Sequence, residues 1–85
     1  MITHVAIRYK DKVYSLPAPN RHHHVIWMIV EKLGIDSVSG EDQGFLDEDG
    51  LYYDRESALA YALKNNQVID MKDIRAGQLF SENLW

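Results

Sequence analysis

The hydrophobic period of this chain changes early, and the change falls at two prolines. Thr3, Val5, Ile7 and Tyr9 alternate with His4, Ala6, Arg8 and Lys10, the two-residue period of a half-buried strand. Lys10-Asp11-Lys12 reads as a tight turn and Val13-Tyr14-Ser15-Leu16 as the returning strand. Pro17 and Pro19 then end the pairing, because proline offers a ladder no N–H and restrains the residue before it. Beyond them Ile26, Ile29, Val30 and Leu33 recur at helical spacing, with Asn20 expected as N-cap and Gly34 as the stop.

The second half of the chain reads in similar terms. Gly44-Phe45-Leu46 and Leu51-Tyr52-Tyr53 flank Asp47-Glu48-Asp49-Gly50, a second short hairpin. Asp54 is a strong N-cap for a helix from Arg55 to Lys64, whose alanines permit close packing on a sheet. Asn65-Asn66 suits the end of that helix, Gln67-Val68-Ile69 reads as a further short strand, and Arg75-Ala76-Gly77 as a turn. Ser37 to Gln43 reads as a polar surface connection. The expected fold is therefore α+β, a small antiparallel sheet built from two hairpins with two helices packed on one face.

Eighty-five residues suit a single domain, 1–85, with one modest core. The absence of cysteine excludes a disulfide framework, a thiolate zinc site and a cysteine nucleophile. The longest apolar stretch, Val25 to Val30, is too short to cross a bilayer, and no export signal precedes the first strand. A cytoplasmic location away from membranes is the expectation. The formal charge of −4 argues against general coating of nucleic acid, which draws its affinity from clustered lysine and arginine. A small anion held in a local basic pocket stays open.

Arg21-His22-His23-His24 concentrates the chain's chemistry at the expected first turn of the first helix. Three readings compete for it. A metal centre requires convergence, yet three adjacent histidines fan around a helix, so only one or two rings plus a ligand from elsewhere could serve. An anion site fits the free amides and partial positive charge of a helix start, with Arg21 and His22 or His23 adding donors. Arg55 or Lys10 would be second donors. The third reading is structural: His22 caps and packs under the prolines while the other rings are solvated.

Other features carry less. Counted from Asp47, the acidic turn puts glycine fourth and Ala58 twelfth, which is not a calcium loop. Ser15, Ser57 and Ser81 lack a nucleophile elbow. Nine aromatic residues are many for this length, most of them expected in the core, with Trp27 beside the histidines able to stack a base. The terminal Leu79-Phe80-Ser81-Glu82-Asn83-Leu84-Trp85 either closes the core through Phe80 and Leu84 or Trp85, or offers those side chains to a second copy or a partner protein.

The chain resembles a family of small proteins from bacteriophages and their bacterial hosts. The matching stretches are Ile7-Arg8-Tyr9-Lys10 with Val13-Tyr14-Ser15-Leu16-Pro17, Pro19-Asn20-Arg21-His22-His23 with Val25-Ile26, and Gly44-Phe45-Leu46 with Asp49-Gly50. Arg55-Glu56-Ser57-Ala58, Gln67 and the terminal Leu79-to-Trp85 run complete them. Relatives usually carry glycine after the second helix where this chain has Asn65-Asn66. The resemblance implies a phage accessory protein in the host cytoplasm, acting stoichiometrically on a host protein or a small molecule, host-defence modulation included. It brings no activity and no catalytic residues.

The leading expectation is thus a non-enzymatic protein without cofactor or metal that binds a phosphate-bearing small molecule, such as a nucleotide. Arg21, His22, His23 and Arg55 would be its contacts. The alternatives are a homodimer or host-protein inhibitor using Phe80, Leu84 and Trp85, and a small histidine-dependent hydrolase. Whether Arg21, His22, His23 and the Ser81-Glu82 tail converge in space is the question a structure answers.

Overall fold

The computed structural model describes residues 1–35, 43–71 and 77–85. Two strands, β1 (Ile2–Tyr9) and β2 (Lys12–Pro17), lead into helix α1 (His22–Leu33). Strands β3 (Gln43–Asp47) and β4 (Tyr52–Asp54) then lead into helix α2 (Arg55–Lys64), and Ser81–Asn83 forms a 3₁₀ turn. The four strands make one sheet in the order β2-β1-β3-β4, antiparallel throughout. This is the expected α+β architecture. Of the expected polar connection, only its last residue, Gln43, is described, and it opens β3. The rest of that connection and the turn at Arg75-Ala76 lie outside the described residues.

Local chemistry accounts for most of the elements. Lys10 and Asp11 both adopt positive φ, 48° and 63°, the mirror-image turn whose twist matches a two-residue hairpin. Tyr9 pairs directly with Lys12, so the turn is one residue shorter than expected and Lys12 belongs to β2. Pro17 does not end the pairing: it lies opposite His4, and the Ala18 N–H still donates to the Thr3 carbonyl at 3.0 Å. β2 is an edge strand, where proline is tolerated. A register shift between Ile2 and His4 lets Ile2 join Val5 and Ile7 in the core while Thr3 does not.

Helix α2 is capped at both ends by its own sequence. The Asp54 carboxylate accepts the Ser57 N–H at 2.8 Å, and Glu56 and Lys64 complement the dipole. At its end the Asn66 N–H bonds the Leu63 carbonyl and the Gln67 N–H the Ala62 carbonyl, with Asn66 in the left-handed region at φ 54°. Those two bonds make a Schellman motif with asparagine in the glycine position. Gln67-Val68-Ile69 is not a strand. The Gln67 side chain instead clasps β1, accepting from Ile2 N–H at 2.8 Å and donating to its carbonyl at 2.5 Å, while Ile69 N–H donates to the Asn83 carbonyl at 2.7 Å.

The helices and sheet share one core. α1 lies over β1 and β2, and α2 over β3 and β4. Val5, Ile7 and Phe45 meet Val25 and Ile29 of α1, Ala58 and Ala62 of α2, and Leu79 and Leu84 of the C-terminal segment. The buried stripe of α1 is centred on Val25 and Ile29, not on the Leu33 side, and Leu33 is exposed. On the opposite face of the sheet the Tyr52 ring covers Gly44, so closely that a Cβ there would sit 2.6 Å from the ring and closer still to the Tyr53 carbonyl. Arg8 lies over the same ring at 5.3 Å. No helix among the described residues is long and apolar enough to cross a membrane.

Candidate functional site

The start of α1, the start of β3, the start of α2 and the C-terminal turn meet at one end of the molecule. Arg55, the first residue of α2, ties three of these together. Its Nη1 donates to the Leu79 carbonyl at 2.8 Å, its Nη2 donates to Gln43 Oε1, and its guanidinium lies 4.4 Å over the Phe80 ring. The Leu79 N–H returns a bond to the Arg55 carbonyl at 3.0 Å. Burial pushes the Arg55 guanidinium down, while Glu82 and Tyr52 pull it back up. It remains a cation at neutral pH.

The turn that carries Glu82 is rigidly set. Fully buried Asn83 accepts the Phe80 N–H through Oδ1 at 2.8 Å and donates Nδ2 to the Asp70 carbonyl at 2.8 Å. Leu84 enters the core, and the Trp85 indole donates to the Asn20 carbonyl at 2.8 Å. The tail side chains Phe80, Leu84 and Trp85 are thus all engaged within the chain. Glu82 is exposed and stands 3.9 Å from Arg21 Nη1, an ion pair too long for a hydrogen bond. Arg21 Nη1 is itself shielded from solvent and has no hydrogen-bond partner among the described residues.

Helix α1 starts one residue later than expected. Arg21, not Asn20, is the N-cap; the Asn20 amide turns back to donate to the Pro17 carbonyl at 2.8 Å. Arginine has no acceptor atom, so it gives the first-turn amides none, and no acidic residue follows in that turn. His24 supplies half of a capping box by accepting the Arg21 N–H on Nδ1 at 2.9 Å. Its ring therefore carries its proton on Nε2. Of the histidines, the structural reading gives a capping role to His22, but it falls to His24.

His22 does something else. Only 7% exposed, it sets its ring edge-on to Phe45 at 4.9 Å, and Nε2 donates to the Gly44 carbonyl at 2.7 Å. Burial lowers its pKa to about 4 against the opposing pull of the Gly44 bond, with Arg55 lowering it further and Glu82 raising it. It is a neutral strut between α1 and β3. His23 faces outward, against His24 at 4.1 Å and Trp27 at 4.9 Å. The structure thus brings Arg21, His22, Arg55 and Glu82 to one place and leaves His23 on another face. Among the described residues, no three of histidine, aspartate and glutamate gather as metal ligands.

Sequence reasoning misses one participant, His24, and holds Glu82 only as part of the Ser81-Glu82 tail, whose convergence with Arg21 it leaves open. Glu82 lies 61 positions from Arg21 and has no local signal beyond its place in the Leu79-to-Trp85 run. His24 had one: a residue three places after the cap is where a capping-box acceptor belongs.

A family model described as phage T4 y16D protein matches residues 1–85, so the chain belongs to that phage protein family. Neither the curated proteins nor the solved structures yield a match.

Proposed function

We propose that this member of the phage T4 y16D family is a non-enzymatic accessory protein that binds a phosphate-bearing small molecule at the start of α1. One observation carries the reading: the first turn of α1 has an arginine for its cap, no side-chain acceptor for its amides and no acid of its own. Helix α2, by contrast, has Asp54 and Glu56. A helix start without an acceptor attracts an anion, because its free N–H groups and the dipole converge there. Arg21 adds a guanidinium whose Nη1 lacks a hydrogen bond among the described residues, and Arg55 adds positive potential from behind.

The histidines divide the work. His22 fixes the helix start to β3, and its N–H is already committed to Gly44, which leaves little for acid–base chemistry and favours binding over hydrolysis. His24 keeps an Nε2–H for a ligand oxygen. Glu82 is the site's internal counter-charge, which an incoming phosphate replaces. The alternative of a second copy or host protein docking on the tail has less support, because Leu84 is 5% exposed and Phe80 and Trp85 have partners within the chain.

Thermal unfolding with orthophosphate, pyrophosphate and a nucleotide panel tests the reading. A saturable rise in Tm is expected, lost in Arg21→Ala while the ligand-free Tm stays within a few degrees. No rise with any phosphate compound would overturn it.

A further inference from the structure

The start of α1 continues into a groove along the same helix. Residues three and four apart share a helical face, so Arg21, His24, Met28 and Glu31 follow one another along one side of the helix, half-buried up to Met28 and exposed at Glu31. The groove, about 500 Å³, is lined by His24, Trp27, Met28, Glu31 and Lys32. Its wall is Trp27, 63% exposed, braced by the His23 ring at 4.9 Å and the His24 ring at 5.7 Å. A tryptophan this exposed leaves much of its ring surface open to a ligand even with these two contacts.

The charges along the groove are ordered. Arg21 and the helix start are positive. One turn beyond Trp27 lies Glu31, whose carboxylate only accepts hydrogen bonds at neutral pH. Lys32 is drawn aside over the Tyr14 ring at 5.8 Å. From Arg21 to Glu31 the helix rises about 15 Å. A ligand matching this order is anionic at one end, flat and aromatic in the middle, and rich in N–H donors at the other.

Resting on the anion-binding reading above, we propose that the ligand is a guanine nucleotide, its phosphate at Arg21 and its base stacked on Trp27 with an edge bonded to Glu31. Guanine presents two neighbouring N–H groups on its Watson–Crick edge and so matches both oxygens of a carboxylate. Adenine presents one N–H₂ beside a ring acceptor, which the same carboxylate repels. The His24 Nε2–H lies between the two ends and suits a ribose or phosphate oxygen.

Calorimetric titration with orthophosphate, GMP and AMP, alongside the two indole N–H signals in ¹H–¹⁵N spectra, tests this. GMP is expected to bind at least tenfold more tightly than phosphate and to shift the Trp27 indole signal, which phosphate leaves in place. Trp27→Ala, a surface change, should reduce GMP to the affinity of phosphate. Glu31→Gln should erase the preference for GMP over AMP. If phosphate and GMP bind equally, or Trp27→Ala keeps the tenfold margin, the base site is wrong and the anion site stands. If GMP and AMP bind alike in the unaltered protein, the assignment to Glu31 is wrong. If none of the three binds, both readings fall.

Discussion

Protonating His22 should loosen the fold at mildly acidic pH, and the structure sets the size of the effect. The ring is 7% exposed and donates Nε2–H to Gly44, and its pKa falls from the ordinary 6.5 to about 4. Between those values the unfolded chain binds a proton at this position and the folded chain does not. Stability therefore rises with pH across that window. His22's neutral form contributes fully above pH 6.5, and the contribution is lost progressively as pH falls towards 4. At about 1.4 kcal/mol per pKa unit the full loss is about 3.5 kcal/mol, of which about 2 kcal/mol is gone by about pH 5. Urea unfolding at half-unit steps from about pH 7.5 to about 4.5 reads this directly. His22→Gln keeps an amide N–H for the Gly44 carbonyl but cannot titrate, so its stability should stay nearly flat over the same range. A flat profile for the unaltered protein, or an equally steep one for His22→Gln, would refute the assignment of His22 as a neutral strut.

Other perturbations have outcomes that follow from single contacts. Glu82→Gln removes the carboxylate beside Arg21 and should raise phosphate affinity several-fold in a direct titration, with the gain shrinking at high salt. Gly44→Ala drives a methyl into the Tyr53 carbonyl and the Tyr52 ring; the β3–β4 pair must shift, costing about 1–3 kcal/mol by denaturant unfolding. Asn66→Gly relieves the left-handed residue of the Schellman motif and should stabilise by about 0.5–1 kcal/mol. Asp47→Ala releases the Asp49 and Leu51 N–H groups and the Tyr53 hydroxyl and should lower the urea midpoint at neutral pH. Burial pushes the Asp47 carboxyl up, but those bonds outweigh it and hold it below the usual range. Its stabilisation should thus persist above the ordinary carboxylate pKa and fade only below, separate from the His22 window.

Elements whose signals are local could be read from the residues. The first hairpin, the Asp54 cap and the Asn65-Asn66 stop each depend on near neighbours in the chain, and each stands where expected, although Ala6 is buried together with Val5 and Ile7 rather than alternating with them. What failed to show depends on distant partners. Asn20 is a good cap by type, yet its carbonyl takes the Trp85 indole from 65 positions away and its amide serves Pro17, so the cap passes to Arg21. Gln67-Val68-Ile69 has strand composition, but the Gln67 side chain claims the backbone of Ile2 and the Asn83 carbonyl claims Ile69. The candidate site was half legible. Helix geometry separates the three histidines by residue spacing alone, whereas the arrival of Arg55 and Glu82 beside Arg21 is a product of tertiary packing.

The central claim is that the first turn of α1 has no side-chain acceptor for its His22 and His23 amides and takes one from a ligand's phosphate. Amide chemical shifts of the ¹⁵N-labelled protein under orthophosphate titration test it most directly. The account predicts that the largest changes fall on the His22 and His23 amides, with the Arg21 Nε–H saturating alongside them. The His24 amide, already bonded to the Arg21 carbonyl at 3.0 Å, moves less, and the α2 amides at Glu56 and Ser57 stay unmoved. Equal changes at both helix starts, or none at Arg21 to His24, would contradict it.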